Sequence, residues 1–478
     1  MSDSPRLKKP PTPGSARAAL AHPQFRRMWL SSFTSSIGVW MQQVVLPAYI
    51  YSRTKSASTV AIFSFAQMGP LLLLSIPAGV MADKFDRRKW IVFAQIIQMT
   101  GSALLGIFSS LHAAIPALFC AQLVVGIGNS LNAPAFSAVL PSLVPPEDLG
   151  GSISLSSVSV NGSRVTGPIV AAILMNAGVQ TQHIFFINAC MYLIVMSAVL
   201  RITMPKAEKT TESGWRSLTL GIRVARERPV IGRVLLSMFS FSLFSLTFVG
   251  LFPAVADLAF DIAPKTATYK WLYATWGFGS MLGALAVGTF LATEDKRTTA
   301  RRGFAMFAVA LALFASSPNI PLAFVTGFIL GTTYFSTTTA LMTVLQSRLE
   351  LAVRARVLSL WFMAFGGTIP IGNMIFGPIM DRIGPRPVLY FGSLWALFLQ
   401  PSFSSSKSAH GTARYAHRPA TVPPKYWVQA GTRGYGPRPR LPWVKTVGFP
   451  RNSSHARRGR EGRPEPNARY RPVPARDR

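Results

Sequence analysis

Acidic side chains are scarce in this chain. Its 478 residues hold 17 Asp+Glu against 49 Lys+Arg, for a formal charge of +32. Charged residues of both signs make up 14% of it, where a soluble domain holds roughly a quarter. That deficit, beside 49% hydrophobic residues, disfavours an ordinary soluble fold and points to lipid as the solvent. Cysteine is almost absent: Cys120 and Cys190 both lie in apolar runs, so neither a disulfide framework nor a metal site follows from them. No His/Cys/Glu cluster has metal spacing and no nucleophile–base pair stands out, which leaves an enzyme disfavoured and no cofactor expected. The phosphate loop G-x-x-x-x-G-K-[ST] is missing, which disfavours an ATP-driven pump. The glycine run Gly277-Phe-Gly279-Ser-Met-Leu-Gly283 has the wrong spacing for a nucleotide loop and reads as helix packing. A small-residue cleavage site after a short apolar core is lacking too, so the first span reads as a retained helix.

What is present is a series of membrane-length apolar stretches. About 20 apolar residues span a bilayer as a helix, and backbone groups in lipid must be satisfied internally, so helices and not strands are expected. The predicted spans are 28–51, 60–82, 90–111, 114–139, 151–176 and 183–203, then 231–256, 269–292, 303–317, 320–342 and 356–380. A polar segment divides the two sets. The implied organisation is a disordered cytoplasmic arm (1–24), a six-helix bundle (25–203), a cytoplasmic linker (204–230), a second bundle of about five and a half helices (231–399) and a disordered basic tail (400–478).

The +32 charge would suggest nucleic acid in a soluble protein, but its placement argues otherwise. The arm, the loop at 84–89, the stretch 201–233, and the loops 296–302 and 348–356 are basic, whereas the intervening loops at 111–114, 178–183 and 316–321 are not. Positive loops stay cytoplasmic, so the N-terminus and every second loop are expected on the cytoplasmic side of the cell (inner) membrane. The 145–148 loop, with Glu147 and Asp148, is an acidic exception.

Between the second and third spans lies Gly79-Val-Met-Ala82-Asp83-Lys-Phe-Asp86-Arg87-Arg88-Lys89. This hairpin resembles the major facilitator signature G-x-x-A-D-x-x-G-R-R, with Asp86 where glycine is usual. That variant is similar to the secretion-effector, enterobactin-exporter-like branch. The opening Ile37-Gly38-Val-Trp40-Met-Gln42-Gln43-Val-Val-Leu-Pro47 and the run Gln67-Met-Gly69-Pro70 resemble the same branch. The resemblance covers residues 25 to about 399 and implies two six-helix bundles and secondary active export by alternating access. Gly162-Ser-Arg164-Val-Thr-Gly167-Pro168-Ile-Val-Ala171-Ala172 resembles the antiporter motif G-x-x-x-x-G-P-x-x-G-G, with alanine at the last two glycines. Small residues let helices approach closely, so this segment is either a hinge or an ordinary packing seam. The second half echoes it: Gly377-Pro378-Ile379 stands where Gly167-Pro168-Ile169 stands in the first.

Candidate working residues follow. Gly79, Asp83, Arg87 and Arg88 are expected to gate, as the resemblance implies, with Gly162, Gly167 and Pro168; the bland alternative for the hairpin is a topogenic anchor. Arg164 is the one basic side chain well inside a predicted helix, about 20 Å from its start at the rise of an α-helix. A charge there is expensive and faces the bundle interior or a water-filled cavity, where it either meets an anionic or carbonyl-rich substrate or bonds helix carbonyls with Asn161 nearby. Gln42, Gln43, Gln67, Asn129 and Asn132, with Thr247 and Thr332, are cavity-lining candidates among aromatics Trp40, Phe63, Phe136 and Tyr334. None of the 14 acids before Gln400 falls near the middle of a span, so a titrating coupling carboxylate is not visible; Asp257 is the best candidate. The expected partners are a small amphipathic solute of drug or siderophore type, a proton or other ion gradient and the bilayer, with no nucleic acid and a monomeric carrier.

The chain ends abruptly. A twelfth helix starts at 388 and stops at 399, reaching about 18 Å where a core of roughly 30 Å must be crossed. The following 79 residues carry 17 Lys+Arg and 3 Asp+Glu, rich in Pro, Ser and Gly, and are expected to be disordered. A shifted reading frame near Gln400 would account for the break, and a lipid-binding basic tail is the alternative. The competing functional reading is therefore a degenerate, non-transporting carrier that has lost its last helix.

Overall fold

The computed structural model describes residue 12 and residues 14–203, 214–291, 294–349 and 351–400. Every regular element among them is helical. A short α1 (Ala16–Ala21) precedes six long helices: α2 (Pro23–Thr54), α3 (Ala57–Lys84), α4 (Arg87–Ser110), α5 (Ile115–Ser142), α6 (Leu149–Asn176) and α7 (Thr181–Arg201). After α8 (Gly214–Glu227) come α9 (Pro229–Phe244), α10 (Thr247–Gly250) and α11 (Phe252–Phe260), which together make one crossing. Then follow α12 (Ala267–Gly288), α13 (Lys296–Ser316), α14 (Ile320–Gln346), α15 (Leu351–Phe362), α16 (Thr368–Ile383) and α17 (Pro385–Leu399). A π-turn, Met363–Gly367, fuses α15 and α16 into one span.

Eight helical stretches among the described residues are long and apolar enough to cross a bilayer, and the 16-residue α9 is a shorter apolar helix. The helices start where a side chain captures an orphan N–H: Ser56 accepts from Thr59, Asp86 from Lys89, Thr266 from Tyr269 and Asn319 from Leu322. Asp86, the departure from the usual glycine, is thus the N-cap of α4.

The first bundle is built by the pairs α4–α5, α3–α5, α4–α7, α2–α6 and α2–α7, and the second by α12–α14, α13–α14, α13–α17 and α9–α16. The most extensive pairs joining the bundles are α3 with α16 and α6 with α12. These are the second helix on the eleventh and the fifth on the eighth, pairs that a parallel repeat of six helices exchanges. The molecule is an all-α polytopic membrane protein of two six-helix bundles with a truncated twelfth helix, α17, of 15 residues or about 22 Å. The basic tail and the change of frame expected near Gln400 fall outside the described residues.

Several expected boundaries are corrected. The seventh helix is not continuous over 231–256. The hydroxyl of Ser245 donates to Gly392 O (2.7 Å), the amide of Asn373 crowds Gly250, and Pro253 restarts the helix as α11. Residues 296–302, expected as a loop, open α13, because Asp295 caps it by accepting from Arg297 N. Residues 14–24 are not a disordered arm. Ser15 caps α1, and Asp148 receives both Gly14 N (2.9 Å) and His22 Nε2 (2.8 Å). Gly151 leaves room for the Ser15 carbonyl against α6. The acidic loop at 145–148 therefore has a local purpose, which is to strap the chain start onto α6. The described part of the linker, α8, is a helix that packs on α15 and α9 with Val224 buried.

Candidate substrate passage and its closed end

Among the described residues, one cation lies near the middle of a membrane-length helix. Arg164 lies just past the centre of the 28-residue α6, with its guanidinium carbon 4.7 Å from the Trp40 ring centroid and 4.3 Å from that of Phe335. Trp40 belongs to α2 and Phe335 to α14, so the two faces of the charge are covered by different bundles. Its Nε is buried without a hydrogen-bond partner. Tyr273 and Tyr334 lie in its field. Aromatic faces stabilise a desolvated cation by about 2 kcal/mol or more, but they supply no counter-charge.

Beside this box the passage narrows. Gln67 Nε2 donates to Gln43 Oε1 (2.6 Å), and the pair borders a 30 Å³ cavity with Ser64, Tyr269 and Tyr273. That volume holds about two waters. Val249, Gly250, Phe252 and Pro253 close its other wall, from the second bundle.

Beyond it, towards the α2–α3 turn, polar groups tie the bundles together. Asp381, in the last turn of α16, accepts from the N–H groups of Ala57 (2.6 Å) and Ser58 (2.9 Å) and from the hydroxyls of Ser56 (3.0 Å) and Ser58 (2.5 Å). These are the orphan donors at the start of α3, which a carboxylate satisfies well. Asn373 Nδ2 donates to Ser64 Oγ (3.1 Å) one level deeper. Lys55 Nζ meets Asp257 Oδ2 at 2.8 Å across the same end. Gly377 permits the approach: a Cβ there would stand 3.1 Å from Ala57 O and from Ser58 Cα.

The candidates separate once the helices are placed. Gln43 and Gln67 border the small cavity, and Tyr273, which also lines it, lies in the field of Arg164. Gln42 does not line it. Its amide donates to Gln122 (3.2 Å) while its carbonyl accepts from Ser102 (2.7 Å) and Asn188 (2.7 Å), deep inside the first bundle. Asn129 is exposed on α5, and Asn132 accepts from Gln95 at 3.5 Å. Asp257 pairs with Lys55 at the closed end and lies in no central cavity. Thr247 is buried against Gly372, and Thr332 bonds back to Phe328 O (2.9 Å).

Gly167 and the buried Pro168 sit in a seam within the first bundle, where a Gly167 Cβ would reach 2.5 Å from Trp40 Cβ; Gly162 faces Phe33. Arg88 donates to Ile202 O (2.5 Å), joining the hairpin to the end of α7, and Arg87 opens α4. Gly79 and Asp83 lie on α3 and Asn161 on α6, with their side-chain surroundings outside what the structure describes. Sequence reading missed Lys55, Asp381, Asn373, Tyr273 and Phe335. Of these only Asp381, an acid directly behind an apolar span, carried a visible signal.

Two six-helix bundles meeting through α3–α16 and α6–α12, with a half-buried cation of α6 between them, define a membrane transporter of the major facilitator fold. Among solved structures, the nucleoside transporter NupG is similar at 14% identity with a TM-score of 0.65, covering 80% of this chain and 98% of that one. A bacterial homologue of the human lysosomal transporter Spinster, in an inward-facing and unoccupied conformation, is similar at 13% identity with a TM-score of 0.62, covering 80% of this chain and 96% of its own. Residues 14–404 match the model of the transmembrane secretion effector family, and the chain belongs to that family. Enterobactin exporters of Shigella boydii serotype 18 and Escherichia coli O139:H28 are each 26% identical over 353 residues, which is 71% of this chain and 81% of theirs.

Proposed function

We propose that the protein is a secondary active exporter that moves small amphipathic molecules, drug-like or siderophore-like, outward across the inner membrane by alternating access. The observation that carries this reading is the asymmetry of the passage along its axis. The bundles close on each other from the Asp381 and Lys55–Asp257 contacts down to Leu72, which packs on Gly367. Towards the opposite end, Leu73, Met81 and Phe85 of α3 and the following turn are exposed. On α6, Ile153, Val158 and Val160 are exposed, whereas Ala171 and Ala172, past Arg164, are fully buried. With the basic hairpin at 84–89 taken as cytoplasmic, we read this asymmetry as the inward-facing member of an alternating pair. A relative named for enterobactin export supports the outward direction of transport.

A proton or other ion gradient drives the cycle in this reading. Gly79, Asp83, Arg87 and Arg88 set the cytoplasmic gate, Gly162, Gly167 and Pro168 let α6 bend or seal, and Gln43 and Gln67 contact the solute. Everted membrane vesicles test it. An amphipathic dye is expected to accumulate inside them when a proton gradient is imposed and to leak out when the gradient is collapsed. Accumulation no greater than in vesicles without the protein, for dyes and catechol-bearing solutes alike and under proton or sodium gradients, would sink the reading.

A further inference from the structure

The charge balance of the central box is incomplete. Arg164 carries a full positive charge between Trp40 and Phe335, and among the described residues no carboxylate lies within ion-pair distance of it. Its Nε is buried and donates to nothing. A buried cation ordinarily has a paired anion, because desolvation without one is costly. The sequence offers no acid near the middle of any span, so the missing partner does not come from the helices around it. What surrounds the guanidinium is flat and apolar, apart from the Tyr273 and Tyr334 hydroxyls. Arginine's planar fork matches a carboxylate or another oxyanion in two-point fashion.

We propose that Arg164 is the receptor for an anionic group of the solute, and that the site selects amphipathic molecules in which an oxyanion sits beside an aromatic or apolar body. This deepens the export reading and rests on it for the word solute, though the anion site itself does not. The anion supplies the counter-charge that the protein omits, while the apolar body lies along the edges of the rings that hold the guanidinium. Because those rings belong to different bundles, a ligand seated there touches both halves of the carrier. An oxyanion seated on the guanidinium edge that includes Nε also gives that unpaired donor a partner. Neutral molecules of the same shape lose that bond and leave the charge uncompensated, so the discrimination is large and not a matter of fit.

The test uses the full-length protein in nanodiscs with matched probes: 1-naphthylacetate, naphthalene-1-sulfonate and the neutral 1-naphthylacetamide. Binding is measured by calorimetry and by quenching of tryptophan fluorescence. The two anions are expected to bind wild type about tenfold or more tightly than the amide. Arg164→Gln is expected to erase that preference while leaving amide binding in place, and Arg164→Lys to keep part of it. Arg164→Gln removes a buried charge and is expected to fold; the comparison of acid with amide on wild type stands even if it does not. Equal affinities for acid and amide, no binding of either anion at millimolar concentration, or a preference that survives in Arg164→Gln would each overturn the proposal. The vesicle assay keeps the two ideas apart. Anion preference without gradient-driven dye uptake leaves the site and removes the exporter, whereas dye uptake without anion preference removes the site alone.

Discussion

The two Gly-Pro-Ile turns of the chain look alike in sequence and do different physical jobs. Gly167 packs against α2 of its own bundle, where its missing side chain makes room for Trp40, Ile37 and Met41. Gly377 packs against α3 of the other bundle, where it makes room for Ala57, Ser58 and Ala61. One glycine therefore belongs to a seam within a bundle and the other to a seam between bundles, the one that the proposed alternating access would have to break. The same division holds for polar groups. Gln42, Gln122, Ser102 and Asn188 form a buried network inside one bundle, whereas Asp381 and Lys55–Asp257 bridge the two at an edge where water can replace the partners. Buried networks rigidify a unit, and exchangeable charge-assisted bonds at a rim bias an equilibrium between units.

Substitution tests that contrast most sharply. Gly377→Leu forces α3 and α16 apart. Overpacking costs about 1–3 kcal/mol, so the closed end is expected to open by about tenfold or more and vesicle export to fall in proportion. A cysteine placed at Gln43 is then expected to react with an external thiol reagent that wild-type packing excludes. Gly167→Leu is the counterpart and is expected to act on folding, lowering the thermal midpoint and yield of the purified protein with little change in that labelling. If Gly377→Leu lowered stability and left access unchanged, the distinction would fail.

Asp381→Asn comes next in size. It keeps the shape but loses the charge that four donors address, and hydrogen bonds to charged groups are worth about 1.5–3 kcal/mol. Labelling from the α2–α3 end is expected to rise several-fold, with binding of naphthylacetate at Arg164 unchanged. The smallest effect is expected at Lys55–Asp257, where the lysine is 63% exposed. Exposed pairs contribute about 0.2–1 kcal/mol, so a double-mutant cycle of Lys55→Ala and Asp257→Ala should return a coupling in that range. Asp257→Asn also tests the coupling candidate: gradient-driven uptake that persists leaves Asp257 as a rim residue, and uptake that vanishes makes it the coupling site.

Much of the architecture was legible because lipid imposes a coarse code. Span length, the basic hairpin and the polar divide between bundles follow from desolvation, and most long helices appear within a few residues of their expected places, with α13 starting seven residues early and the seventh helix broken. The truncation of the twelfth helix could be counted off at 399. Arg164 stood out for the same reason, since a charge so far from any helix end is rare enough to notice. Rotation about each helix axis was not legible. In a soluble helix the polar face marks the outside, but here both the lipid side and the core are apolar, so Gln42 and Gln43, adjacent in sequence, could not be assigned opposite roles. Position 42 turns into the first bundle and position 43 into the passage.

Sequence alone determined that this polypeptide crosses a membrane many times, in two similar halves, with a lone cation near its middle. It did so because moving polar groups into hydrocarbon costs enough to write every crossing into composition. Tertiary structure decided what that cation meets and which end is shut. Trp40 and Phe335 are 295 positions apart, Ala57 and Asp381 are 324 apart, and only the packing of one bundle on the other brings such pairs within reach.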